Sequence, residues 1–175
     1  MPQMILPQPL RGSGSPPALG EWMSKMLQVG DKAPTFSLPD QDGKMVDIAS
    51  IIGTKAMVLY FYPKDFTSGC TMEAREFRDM HEQFLANGAE VFGVSQDDVK
   101  THKEFAIEHE LPFKLLADTE NKVRDMYGAW GLAHTAGRVT FLIDKQGIIR
   151  MVFSSQLQPK KHIEEGLRIL KEINR

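Results

Sequence analysis

One cysteine, Cys70, stands in the run Tyr60-Phe61-Tyr62-Pro63-Lys64-Asp65-Phe66-Thr67-Ser68-Gly69-Cys70-Thr71. The order is that of an apolar strand ending at a proline, a short loop with a hydroxyl and a glycine, and a helix opening at the thiol. At a helix N-terminus the backbone N–H groups point outward without intrahelical partners, and the positive end of the dipole favours thiolate over thiol. Thiolate is the nucleophilic form, and helix starts are among the places where a cysteine ionises well below roughly pH 8.5. A lone cysteine is otherwise usually a small buried apolar residue. Its placement after strand, proline and glycine reads as reactive.

Other residues can serve such a thiol. Thr67, three residues before Cys70, can set its hydroxyl beside the sulfur or cap the helix N-terminus. Pro63 removes a backbone donor and fixes the chain near the thiol, or simply ends the strand. Glu73, one turn into the helix, either orients a cation or is a favourable charge at a helix start. Arg138 follows Gly137 just before a strand and can reach inward toward Cys70. There a guanidinium stays charged and offers fixed donors; an arginine at a strand start is otherwise simply solvated. The five histidines show no metal-ligand spacing, so no metal is expected, and His134 reads as a surface-loop residue. The ten methionines read as core filler.

The elements that must position these residues alternate between strand and helix. Ala56 to Tyr62 is a continuous apolar run without helical period, the mark of a buried central strand. Beyond Cys70, Ala74, Phe77, His81 and Phe84 recur at three- and four-residue steps until Asn87-Gly88. Glu90 to Ser95 predicts a second buried strand. Val99 to about Glu110 predicts a polar, solvated helix, and Phe113 to Ala117 a further strand. Val123, Met126, Tyr127 and Trp130 share the buried face of a short amphipathic helix. Asp144-Lys145-Gln146-Gly147 joins two strands as a hairpin. Pro159 opens a last helix with Ile163, Leu167, Leu170 and Ile173 on one face. Helices between strands plus one hairpin give an α/β sheet of mixed strand direction.

Bulk properties bound the function. The 175 residues suit one domain with a core of its own. The 21 basic and 23 acidic side chains nearly balance, so no basic field attracts nucleic acid or an anionic membrane. No apolar run approaches the roughly 20 residues that span a bilayer. One cysteine excludes an intrachain disulfide framework and fits a reducing, cytoplasmic setting. Residues 1–26 read as a flexible Pro/Gly/Ser-rich extension, with a domain over 27–175; five of the ten prolines fall in the extension. A plastid address is the alternative, if that arm is a targeting segment.

Several motifs in register carry a family resemblance. Pro63-x-x-x-Thr67-x-x-Cys70 resembles the active-site signature of the peroxiredoxins, thiol peroxidases on a thioredoxin-like fold. Phe61-Tyr62-Pro63-Lys64-Asp65 followed by Thr67-x-Gly69-Cys70-Thr71-x-Glu73 is similar to the bacterioferritin comigratory protein or peroxiredoxin Q branch. Val29-Gly30-Asp31-Lys32-Ala33-Pro34, Gly93-Val94-Ser95-Gln96-Asp97, Leu115-Leu116-Ala117-Asp118 and Gly137 to Asp144 extend the likeness over about residues 27–175. The resemblance implies a thioredoxin-like α/β fold with a central mixed sheet flanked by helices. It implies a peroxidase that needs no cofactor and reduces hydrogen peroxide and organic hydroperoxides through a Cys70 sulfenic acid. Thr67, Pro63 and Arg138 fall on the family's catalytic positions, with Glu73 in support.

One departure matters. Many members of the branch carry a resolving cysteine five residues after the first; here that position is Arg75. The chain therefore resembles a one-cysteine member. Its sulfenic acid then needs an outside thiol such as thioredoxin, glutaredoxin or glutathione, and the branch's habit implies a monomer. The rival reading is a peroxide-sensing redox adaptor that signals through oxidised Cys70. A thioredoxin-type dithiol oxidoreductase is excluded, because Cys-x-x-Cys is absent.

Overall fold

The computed structural model describes residues 26–175, so the expected extension lies, but for Met26, outside the described residues. Two short antiparallel strands come first, β1 (Ser37–Pro39) and β2 (Met45–Asp47). The sequence reading missed them; each is three residues long and one ends in proline, too short for a period to register. There follow β3 (Ala56–Phe61), α1 (Ser68–Ala86), β4 (Ala89–Ser95), α2 (Val99–Glu108), β5 (Lys114–Ala117) and α3 (Lys122–Tyr127). The chain closes with β6 (Val139–Ile143), β7 (Ile149–Ser154) and α4 (Pro159–Ile173).

Five strands form one mixed sheet in the order β5-β4-β3-β6-β7. β3, β4 and β5 run parallel, whereas β6 and β7 are antiparallel to their neighbours. Every residue of β3 is buried, because both faces of the sheet are covered. Alternation along the strand sends Val58, Tyr60 and Tyr62 to a core shared with Cys70, Phe77 and Phe84 of α1 and with Leu167 and Leu170 of α4. Met57, Leu59 and Phe61 face the opposite core, with Val123, Tyr127 and Phe141.

This topology fixes where chemistry can gather. In the antiparallel β3–β6 pair, Phe61 lies opposite Val139. The start of β6 therefore arrives beside the end of β3, where the chain turns through Pro63 into α1. Arg138 and Cys70 are 68 positions apart along the chain yet meet at that end.

Two expectations need correction. The helix containing Val123 and Tyr127 stops at Gly128, whose φ of 64° lies in the left-handed region that glycine adopts without strain. Trp130 thus lies beyond the helix, half-buried, stacked on His134 at 3.9 Å and donating from Nε1 to Asp125; Met126 is exposed. The helix of Val99–Glu108 is not wholly solvated either. His102, Phe105 and Ala106 form a buried stripe, and the helix ends short of Glu110, which takes a φ of 51°.

Candidate active site

Cys70 is the third residue of α1 and is buried, at 1 % exposure. Thr67 occupies the N-cap position by backbone, with φ −86° and ψ 152°, but its side chain makes no capping bond. Its hydroxyl instead donates to the Lys64 carbonyl at 2.8 Å, and its own carbonyl accepts the Thr71 N–H. Pro63 is half-buried at the exit of β3. The loop from Lys64 to Ser68 is exposed except for Asp65.

Arg138 meets the sulfur. Its Nη2 lies 3.4 Å from Cys70 Sγ, and its Nη1 donates to Glu73 Oε1 at 2.9 Å. Two glycines leave room for this approach. A Cβ on Gly69 would stand 2.9 Å from Arg138 Nη2, and one on Gly137 would strike the backbone of Gly131, Ala129 and Trp130 at 2.9–3.0 Å. Burial alone opposes the charge of Arg138, but Glu73 and the Cys70 sulfur outweigh it and hold the guanidinium above its usual range.

Glu73 is fully buried. Burial pushes its carboxyl up to about 8, against the pull of Arg138. Its other oxygen, Oε2, accepts no hydrogen bond and lies 3.6 Å from His162 Nδ1. His162, on α4, is equally buried; burial lowers it to about 4, a hydrogen bond to Ser155 works the other way, and Arg138 adds to the lowering. The two are therefore a neutral contact rather than a salt bridge at neutral pH. His162 Nε2 sits 2.8 Å from the Ser155 carbonyl, and Nδ1 sits 2.8 Å from Thr140 Oγ1.

A second guanidinium braces the same end of the sheet. Arg124 on α3, 1 % exposed, donates from Nη1 to the carbonyls of Ala129 and Gly137 and from Nη2 to that of Tyr62. It thereby ties the end of β3 to the residue before Arg138. Burial lowers it to about 10, with Asp118 and Cys70 opposing. Asp118 caps α3 by accepting from the N–H groups of Val123 and Arg124.

The loop is anchored from the other side. Asp65 accepts from the Tyr62 hydroxyl at 2.5 Å and meets His102 Nδ1 at 2.6 Å, while its own N–H donates to Asp97. His102 Nε2 faces the Leu116 carbonyl. Asp65, Asp97 and His102 bring their ligand atoms within 4.8 Å of one another. Their contacts with one another and with Tyr62, Ser95 and Leu116 make them a clamp on the loop rather than an open cation site.

Of the residues singled out in the sequence, Cys70, Arg138 and Glu73 make one hydrogen-bonded cluster. Thr67 and Pro63 lie on the adjoining loop, and Arg75 is exposed on α1. His102, Arg124 and His162 escaped the sequence reading; each bonds to partners distant in the chain, and nothing local marks them.

The AhpC/TSA family model matches residues 29–152. A Populus jackii protein named chloroplastic peroxiredoxin Q is 44 % identical over 146 residues, covering 82 % of this chain and 68 % of its own. Its Arabidopsis thaliana namesake is 48 % identical over 144 residues, covering 81 % and 66 %. The crystal structure of peroxidoxin BcpB from Mycobacterium tuberculosis has a TM-score of 0.78 at 32 % identity, covering 84 % of this chain and 98 % of that one. The fold is thus the thioredoxin-like one of the peroxiredoxins. With one cysteine in its sequence, the chain belongs to the AhpC/TSA family, a thiol-dependent peroxidase of the peroxiredoxin Q branch.

Proposed function

We propose that Cys70 is the attacking thiol and that a sulfenic acid forms on it. The observation that carries this reading is the guanidinium nitrogen of Arg138 at 3.4 Å from Sγ, with Glu73 fixing the other nitrogen. The thiolate attacks the terminal oxygen of R–O–OH. An S–O bond forms, the O–O bond breaks, the terminal oxygen stays on sulfur as S–OH, and RO⁻ leaves to take up a proton. Arg138 donates to the oxygens as charge moves onto the departing one, which is where fixed donors accelerate a reaction most. Thr67 already gives its hydroxyl hydrogen to Lys64, so its oxygen is left to accept from the peroxide O–H. Pro63 adds no N–H to compete for the thiolate.

The chain offers no second thiol, so reduction falls to an outside one: thioredoxin, glutaredoxin or glutathione. The habit of the branch that the sequence resembles supports action as a monomer. The curated relatives are named chloroplastic, which supports the plastid alternative over a cytoplasmic address.

Peroxide consumption with each reductant in parallel, followed by mass spectrometry after one equivalent of peroxide, tests the reading. Expected are turnover with at least one thiol and a gain of one oxygen, or an interchain link, at Cys70. A fully reduced chain after stoichiometric peroxide overturns it.

A further inference from the structure

The Arg138 guanidinium touches two buried acids at once, Glu73 Oε1 through Nη1 and Cys70 Sγ through Nη2. Two anions there would share one directly bound cation in surroundings where uncompensated charge is costly. The other oxygen of Glu73 decides which acid yields. Oε2 is buried, accepts no hydrogen bond and faces His162 Nδ1 at 3.6 Å. The Ser155 carbonyl opposite Nε2 can only accept, so Nε2 carries the ring hydrogen and Nδ1 keeps its lone pair. That lone pair accepts the Thr140 hydroxyl, so Nδ1 offers Oε2 no N–H and Oε2 is left without a donor to support a negative charge.

None of the other groups packed on this cluster donates a hydrogen bond to Oε2. Tyr60 on β3 is a buried phenol, held neutral by burial and by the nearby Glu73, with no partner for its hydroxyl. Thr140 on β6 places its hydroxyl on the same Nδ1. Arg124 on α3 lends Cys70 a second positive charge, but its terminal nitrogens donate to backbone carbonyls and to neither acid.

We propose that Cys70 and Glu73 share one proton: when Cys70 is a thiolate, Glu73 carries the proton on Oε2, the oxygen that no donor reaches, and Arg138 serves one anion at a time. This rests on Cys70 being the attacking thiol and gives that step a closed proton balance. Attack removes the charge from sulfur and frees Arg138 for the carboxylate. Glu73 then loses its proton as the leaving oxygen gains one. S⁻, COOH and ROOH become S–OH, COO⁻ and ROH, with no net exchange with solvent. Glu73 and His162 act through Arg138 and are positioning residues.

Infrared difference spectroscopy on the full reduced chain at neutral pH tests the proposal, with thiolate ultraviolet absorbance followed alongside. Expected is the carbonyl band of a protonated carboxylic acid beside a formed thiolate. The band should be missing from Glu73→Gln, shifted in His162→Leu, and lost when one equivalent of hydrogen peroxide oxidises Cys70. With an indicator dye, oxidation of the wild type should take up no proton, and Glu73→Gln about one per sulfur. Thiolate without the acid band, or an acid band that survives oxidation of Cys70, overturns the proposal. Cys70 left reduced by peroxide overturns the attacking-thiol reading instead, so the two failures are told apart. If His162→Leu does not fold, the wild-type band and its loss on oxidation still decide.

Discussion

The two sides of Cys70 are built differently. On one side stand Arg138, Glu73, His162 and Thr140, all buried and joined by side-chain contacts from α1, α4 and β6. On the other runs the loop from Lys64 to Ser68, exposed but for Asp65, with Phe66 47 % exposed at a φ of 65°. Thr67 gives α1 no side-chain cap. The proposed reaction moves charge and needs donors that do not have to reorganise, as the groups of the buried side are placed to be. On the proposed mechanism a peroxide, and later a bulky thiol, must reach Cys70, which is 1 % exposed. The exposed side, with few side-chain ties, is where the chain opens at least cost. The Asp65–His102 clamp limits that opening to the residues between Asp65 and the helix.

The most complete way to break this contrast is to remove the sulfur on which both sides act. Cys70→Ser should abolish peroxide reduction while circular dichroism and the unfolding midpoint stay near wild type, since serine keeps the shape and is not ionised near neutral pH. Residual turnover in that variant takes Cys70 out of the mechanism.

The clamp is next. His102→Ala leaves the buried Asp65 carboxyl without one of its two side-chain partners, and a buried polar group left unsatisfied costs about 1–3 kcal/mol. Urea unfolding reads this directly. A loss below about 1 kcal/mol, the range of an exposed pair, would mean that the loop does not depend on this anchor. Arg138→Lys acts on the fixed side. It keeps the charge but loses the fork, and the second-order rate with peroxide should fall on the order of 10²-fold. An unchanged rate reduces Arg138 to a structural cation.

Much of this contrast was readable from the sequence, and the part that was not has a physical cause. The all-apolar β3, the period of α1 and the Asp144–Gly147 turn are local patterns, visible in a window of ten or so residues. Cys70 was legible because a helix start is itself a local event. His102, Arg124 and His162 look like ordinary solvated polar residues until their partners are known. Those partners lie 37, 62 and 22 positions away. Trp130 misled by continuing the helical period past Gly128, where backbone conformation rather than side-chain pattern ends the helix.

The pH dependence of stability sharpens the comparison further. Glu73 binds its proton more tightly folded, at about 8, than unfolded near 4.5. Between those values the folded state holds more protons, so stability from this group falls as pH rises. His162 is opposite: about 4 folded against 6.5 unfolded, so its contribution rises between pH 4 and 6.5. Of these two groups, only Glu73 still lowers stability above pH 6.5. Glu73→Gln should therefore gain on wild type in urea midpoint as pH goes from 5 to 8, with the difference smallest near pH 4.5. A pH-independent difference contradicts the buried, neutral Glu73.

The smallest effect is expected at Arg75, the position where the family resemblance implies a second thiol. Arg75 is exposed on α1, in a shallow groove of about 420 Å³ with Ser68, Thr71, Met72, Glu76 and Asp79. It takes no part in the buried cluster, so Arg75→Cys should leave peroxide attack near wild type. Nor should it by itself restore recycling. Residues five apart in a regular helix point in diverging directions and exceed the roughly 7 Å Cα limit for a disulfide. A bridge from Cys70 therefore requires the first turn of α1 to unwind. That turn has its loose side at Thr67 but its inner side held by Glu73, which bonds Arg138 from one turn in. Mass spectrometry after one equivalent of peroxide should find the variant carrying one oxygen rather than having lost two hydrogens. Quantitative disulfide in the variant would mean that the helix start opens freely, and the fixed side ends at Arg138 rather than at Glu73.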